Sequence, residues 1–354
     1  MIKIFGILIL SFLFTGALSI PFINLLYKLK FQRQSELKTE NKKNGDIPLF
    51  DRLHGWKVGT PNGGGILILT AVFVFSLIFY SVTKYDINWT SAVLFLTLLL
   101  FGLLGFYDDI QKIFGWKKTG FWGLRIRFKL LLQILLALII SSLLYFKMGL
   151  STITIPFPFI STFGGNLTSW TGIVIDLGVF YIIFATLVIV FTTNAFNITD
   201  GLDGLATGLL LIALAAFWYL ASLGYWGDVI LFMAVLMGSL LAFLYFNIYP
   251  ARLWMGDTGA LAFGALLAVI ALITESVFVL PIIGGVFIIE AATTLLQWWS
   301  KAYRKKKMFL IAPLHHHFEA LGWDETKVTM RFWLAGAVFA FFGIFIALLT
   351  TLNF

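Results

Sequence analysis

The 354-residue sequence contains no cysteine, which excludes disulfides, thiolate zinc sites, iron–sulfur clusters and thiol nucleophiles. Charge is scarce as well. Only 12% of residues are Asp, Glu, Lys or Arg, against roughly 25% in an ordinary soluble domain. No polar stretch is long enough to build a separate soluble domain. No internal repeat is visible either, including the paired interrupted helices of inverted-repeat transporters. What is present is apolar: 60% hydrophobic residues and a mean hydropathy of +0.95. Runs long enough to cross a bilayer recur from end to end. The chain reads as one all-α polytopic membrane domain over residues 1–354, with its first apolar run retained as a helix because Lys28, Lys30 and Arg33 follow it directly.

About ten spans are predicted, centred on 4–27, 64–83, 89–107, 128–147, 170–192, 202–222, 228–248, 258–274, 278–299 and 331–352. The ninth is unusual in carrying Glu290 and Gln297, seven residues apart and so on one helical face. Charge sorts the loops. Those after spans one, three, seven and nine hold 22 of the 25 Lys and Arg residues. The positive-inside rule makes that set cytoplasmic and puts both termini outside. The formal charge of +8 is therefore gathered on one face, where it can meet anionic lipid or an anionic substrate. The longest outward loop, 149–168, reads as a short alternating strand with a turn, a small outward β-hairpin.

The dense polar motifs fall on the same cytoplasmic face: KVGTPNGGG (57–65), FYDDIQK (106–112), NAFNITDGLDGLATG (194–208), NIYPARLWMGDTGA (247–260) and PLHHHFE (313–319). Asp108 and Asp109 are adjacent, with Lys112 one turn further on; Asp200 and Asp203 are spaced to share a face of an opening helix turn; Asp257 sits at the entrance to the eighth span. Helix capping is a sufficient reason for Asp200 alone or Asp257 alone. It does not account for five carboxylates at one membrane face, which need a compensating cation. Oxygen donors without cysteine suit a hard ion, most simply Mg²⁺. Glycines beside the acids would let backbone N–H groups approach phosphate. Most of the basic residues, Lys305 to Lys307 in particular, need no explanation beyond the positive-inside bias. Together the acids, an inferred Mg²⁺, lysines and helix N-termini suit phosphate chemistry, joining a soluble phosphorylated substrate to a lipid phosphate.

These motifs, with RFKLLLQ (127–133), GGVFIIEAATTLLQ (284–297) and APLHHHFEALGW followed by VTMRFW, resemble the MraY branch of the polyprenyl-phosphate N-acetylhexosamine-1-phosphate transferase superfamily, the phospho-N-acetylmuramoyl-pentapeptide transferases. They occur in the family's order over nearly the whole chain, and APLHHHFE is the run that separates this branch from the WecA-like one. The resemblance implies ten transmembrane helices and a homodimer in the bacterial cytoplasmic membrane, with the active site on the cytoplasmic face. It also implies transfer of phospho-MurNAc-pentapeptide from UDP-MurNAc-pentapeptide to undecaprenyl phosphate, giving lipid I and UMP, with no nucleic-acid partner.

By the same resemblance Asp257 is the Mg²⁺ ligand, and Asp108 and Asp109 are the essential pair beside it. Lys57, Lys112 and Lys129 are expected at the pyrophosphate or lipid phosphate, and Thr60 as a substrate-binding residue. Asn194, Asn197, Asp200 and Asp203 are expected around the nucleotide, and Gln297 as a substrate contact. His315 is assigned to catalysis and His316 and His317 to substrate, on the expectation that at least one imidazole instead shapes its loop. A zinc site is the weaker reading of the three histidines, because consecutive side chains point apart. Two departures from the family pattern stand out: Ala260 where MGD-x-G-Ser is common, and Asn62-Gly63 where Thr-Met is usual. The alternatives are a WecA-like GlcNAc-1-phosphate transferase on the same lipid carrier and, less fitting, a membrane transporter.

Overall fold

The computed structural model describes residues 2–32, 55–83, 86–114, 124–163 and 166–349. The remaining stretches of the basic loops after the first and third spans lie outside the described residues. Twelve helices are formed by the described residues: α1 (Ile2–Lys28), α2 (Gly64–Thr83), α3 (Trp89–Phe114), α4 (Ile126–Met148), α5 (Tyr181–Thr199), α6 (Leu205–Leu223), α7 (Gly227–Asn247), α8 (Gly256–Ile273), α9 (Leu280–Ile283), α10 (Gly285–Trp299), α11 (Leu314–Ala320) and α12 (Glu325–Leu348). Two strands, β1 (Thr152–Phe163) and β2 (Asn166–Asp176), separate α4 from α5 as an antiparallel hairpin. Among the described residues, nine helices are long and apolar enough to cross a membrane.

Three departures from the sequence expectation have physical causes. The fifth span starts eleven residues late, because TSWTGIVID (168–176) pairs with β1 instead of coiling. Its β-branched residues favour a strand, an apolar run of this length does not by itself separate strand from helix, and the partner strand decides. The ninth span is interrupted: α9 and α10 are divided at Gly284–Gly285, where two residues without side chains weaken the helix. The third helix runs past its expected end to Phe114, so Asp108 and Asp109 lie inside it. The face shared by Glu290 and Gln297 is present, and both side chains are buried.

α8 is the axle. Its apolar window is 89% buried, against 17% for α1 and α12, and it packs against α2, α3 and α5. Two glycines make that approach possible. A Cβ on Gly105 of α3 would lie 2.1 Å from the Asp257 carbonyl oxygen, and one on Gly65 of α2 would lie 2.2 Å from the Gly259 nitrogen. Backbones therefore meet at the N-terminus of α8, the place where the polar residues gather. The outer helices α1 and α12 leave large apolar side chains on the surface, among them Leu10, Leu13, Phe341 and Phe345, as a lipid-facing surface requires.

Candidate functional site

The first turn of α8 leaves backbone N–H groups without intrahelical partners. Asp109 reaches across from α3 to satisfy them. Its Oδ1 accepts the Asp257 N–H (3.0 Å), and its Oδ2 accepts the Thr258 N–H (2.9 Å) and the Thr258 hydroxyl (2.6 Å). Gly105, one turn back on α3, gives the clearance for this reach. A carboxylate at a helix N-terminus is also favoured by the helix dipole. Capping is thus real at this end of α8, but the cap comes from a different helix and not from Asp257, which is itself helical. Asn62, one of the departures, places its Nδ2 3.4 Å from Asp109 Oδ1.

Capping by Asp109 fixes Asp257 beside Asp108. Lys112 Nζ lies 3.2 Å from Asp108 Oδ2 and 2.9 Å from Asp257 Oδ2. Lys129, in the first turn of α4, also bridges the pair: its Nζ is 3.0 Å from Asp108 Oδ2 and contacts Asp257 Oδ2. Asp108 Oδ1 accepts the Leu124 N–H at 2.6 Å. Two ammoniums and two carboxylates from α3, α4 and α8 thus form one compact cluster. It is open on one side: Lys112 is 31% exposed, Lys129 16% and Asp257 15%.

Lys57 has a different fate. Only 2% exposed, it is shared between Asp203 Oδ1 (2.8 Å) and Glu325 Oε1 (2.5 Å). Asp203 also accepts the Ala251 N–H and the Trp254 Nε1–H, and Glu325 accepts the Asp203 N–H. To reach a substrate phosphate, Lys57 would have to give up both carboxylates. Asp200 and Asp203 do not share an opening helix turn. Asp200 ends α5, Asp203 lies in the turn before α6, and Gly204 takes φ +73°. Asp200 is half-buried, and its carboxyl is pushed up to about 7, first by burial and then by the charges of Asp257, Asp109 and Asp203.

The other expected residues are placed as follows. The Asn194 amide donates to Gln133 Oε1 (2.7 Å) and to the Val190 carbonyl, while Asn197 and Thr60 are half-buried. Gln297 accepts the N–H groups of Met308 and Phe309 and donates to the Phe309 carbonyl, so it holds the chain leading to the histidines. Pro313 precedes α11 and the three histidines form its opening turns. His315 Nδ1 is 2.9 Å from Glu290 Oε2, His316 Nδ1 is 2.7 Å from Glu319 Oε2, and His317 Nδ1 accepts the Leu310 N–H at 3.2 Å. His317 thus ties its ring to the backbone of that loop.

Sequence reasoning passed over Glu325, Gln133 and the partnership of Glu290 with His315. Glu325 carried no signal beyond an acid in a first helical turn, and its lysine is 268 residues away. Among the described residues, no group of three or more His, Asp or Glu is arranged to hold a metal by itself. Mg²⁺ does not require one: it takes one or two carboxylates and completes its shell with water and substrate phosphate. Asp257 and Asp108, with carboxylate oxygens converging on the same two ammoniums, provide that hard-oxygen set.

Residues 90–275 match the family model described as glycosyl transferase family 4. Similar curated proteins include a phospho-N-acetylmuramoyl-pentapeptide-transferase of Borreliella afzelii (strain PKo), 40% identical over 299 residues and 80% of each chain. One of the same name from Rickettsia massiliae (strain Mtu5) is 38% identical over 348 residues, covering 92% of this chain and 89% of that protein. A third, from Rickettsia canadensis (strain McKiel), is 37% identical over 345 residues, with the same two shares.

Proposed function

The chain belongs to glycosyl transferase family 4 and, within it, to the phospho-N-acetylmuramoyl-pentapeptide transferases, and from that membership we propose how its polar face carries out the reaction. The function is transfer of phospho-MurNAc-pentapeptide from UDP-MurNAc-pentapeptide to a prenyl phosphate, which we assign as undecaprenyl phosphate, with lipid I and UMP as products. An oxygen of the lipid phosphate forms a bond to the phosphorus that carries the sugar, and the bond from that phosphorus to the uridylate oxygen breaks. The positive bias of its loops supports a cytoplasmic orientation of this face in a bacterial membrane, and we assign the protein as a homodimer.

The observation that carries the reading is the open cluster. Lys112 and Lys129 stand between Asp108 and Asp257 with part of their surface in solvent. Cations already held in place can stabilise charge on transferring phosphoryl oxygens without reorganising at the moment of reaction. We assign these lysines to the substrate diphosphate and the lipid phosphate. Asp257, with Asp108 beside it, would hold Mg²⁺, which when bound neutralises diphosphate charge and favours departure of uridylate. Asp109 positions Asp257 through the first turn of α8. Asn197, Asp200, His315 and His316 are assigned to the nucleotide-sugar side. Thr60, Asn194, Gln297 and His317 frame it, and Lys57 with Asp203 braces the turn that carries Asp200.

Direct attack by the lipid phosphate is favoured over a covalent phospho-aspartate. A phosphate monoester has a second pKa of about 6, so near neutral pH it needs little help from a base. Both oxygens of Asp109 already accept donors from α8, which leaves Asp108 to orient the lysines and take any residual proton. The deciding experiment offers purified protein and undecaprenyl phosphate either UDP-MurNAc-pentapeptide or UDP-GlcNAc. UMP is expected from the first alone; UMP from UDP-GlcNAc alone would overturn the assignment. A phosphorylated enzyme accumulating when the lipid is withheld would overturn the one-step route.

A further inference from the structure

Glu290 is fully buried in α10 and has no Lys or Arg ion-pair partner among the described residues. Its Oε1 accepts the backbone N–H of His315 at 3.1 Å, and its Oε2 lies 2.9 Å from His315 Nδ1. A backbone N–H can only donate, and an ionised carboxylate can only accept. With Glu290 as the carboxylate, both oxygens are satisfied together when Nδ1 carries the proton. The opposite nitrogen, His315 Nε2, is then a lone-pair acceptor. It is buried and has no hydrogen-bond partner. A histidine serving only the core would have both nitrogens satisfied, because an unpaired buried acceptor costs free energy.

The open nitrogen faces a definite place. A Cβ built on Gly201 would lie 2.3 Å from His315 Nε2 and 3.3 Å from His316 Nε2. The two rings meet at a centroid distance of 4.1 Å, and Glu319 engages His316 through Nδ1 as Glu290 engages His315. Two carboxylate–imidazole pairs therefore turn their Nε2 atoms toward the same glycine, beside Asp200 at the end of α5. Among the described residues, ionisable groups beside the site include Glu290, Glu319, His316 and Asp200, and Asp200 in turn faces Asp257, Asp109 and Asp203.

We propose that Glu290 is a positioning residue that holds His315 in its Nδ1–H tautomer, so that Nε2 is the nitrogen offered to the bound nucleotide sugar at the Asp200–Gly201 turn. This rests on the transferase reading above. Neutral, Nε2 accepts a hydrogen bond from substrate; protonated, it donates one to a phosphate oxygen while Glu290 balances the imidazolium. The orientation of the ring depends on α10, and through it on the break at Gly284–Gly285 that sets where α10 begins.

The test is ¹⁵N spectroscopy of histidine-labelled protein in nanodiscs at pH 8, with His315→Asn assigning the signal. His315 should show a protonated Nδ1 and an unprotonated Nε2. Glu290→Gln presents one acceptor and one donor to a site that holds two donors, so the Nδ1–H signal should be lost. The kcat for UMP release should fall about 10- to 100-fold, the range expected when a carboxylate that orients an imidazole is removed, with KM changed less than kcat. A wild-type His315 protonated on Nε2 would overturn the proposal, as would a Gln variant with unchanged tautomer and kcat. If the Gln variant does not fold, the wild-type spectrum still decides. The tautomer is read without turnover, so failure of the proposed substrate assignment would show separately, as absence of UMP from wild-type protein.

Discussion

Two clusters at the same end of the bundle use one chemistry for different ends. In each, lysine meets two carboxylates drawn from distant parts of the chain. Lys57 with Asp203 and Glu325 is sealed, its side chain 2% exposed. Lys112 and Lys129 with Asp108 and Asp257 are open, up to 31% exposed. Three formal charges locked in the interior tie α12, the turn before α6 and the loop before α8 together. In the open cluster Asp108 is itself buried, but Lys112, Lys129 and Asp257 are partly accessible and can exchange partners when an anion arrives. Accessibility, more than charge, separates the brace from the site.

The comparison is broken most severely at the sealed cluster. Lys57→Met should leave two buried carboxylates uncompensated and cost about 3–5 kcal/mol of stability, seen as a large fall in thermal midpoint in detergent. Pairing it with Asp203→Asn and Glu325→Gln should recover part of that loss. At the open cluster, Lys129→Met should leave the thermal midpoint near wild type and lower UMP release about 10²- to 10³-fold, the scale for losing one preorganised electrostatic contact. Between the two lies the α8 cap. Thr258→Val removes a hydroxyl that donates to a carboxylate and should cost about 1.5–3 kcal/mol, measured as a lowered midpoint with a parallel loss of activity as Asp257 loosens.

The remaining effect is a pH dependence and belongs to Asp200. Its folded pKa of about 7 lies above the ordinary 3.8. Its contribution to stability is thus full below the unfolded value and is lost as pH rises through about 7. Asp200→Asn should flatten the dependence of the thermal midpoint between pH 4 and 8 and raise it at pH 8. A variant as steep as wild type would show that other groups set the slope.

Much of this contrast was legible in the sequence. Apolar runs located nine helices, and loop charge picked out the face on which Asp108, Lys112, Lys129 and Asp257 meet, because hydropathy and charge bias act locally along the chain. The i, i+4 relation of Asp108 and Lys112 follows from helical geometry alone. What the sequence did not disclose was which partner each polar group takes across the bundle. Glu325 looked like an ordinary first-turn acid until it paired with Lys57, and nothing in the sequence showed that the oxygens of Asp109 cap α8. The late start of α5 was hidden for a related reason: residues 168–176 become a strand only because β1 lies alongside.

The central claim, that the open cluster built on Asp257 is the reaction centre, is tested most directly by UMP release from UDP-MurNAc-pentapeptide and undecaprenyl phosphate. Wild type and Asp257→Ala would be compared with Mg²⁺ and with a chelator, and thermal midpoints recorded alongside. The expected result is release only by wild type with Mg²⁺, and at least about a 10³-fold loss in a folded Asp257→Ala protein. Wild-type rates from that variant, or undiminished release in the chelator, would contradict it.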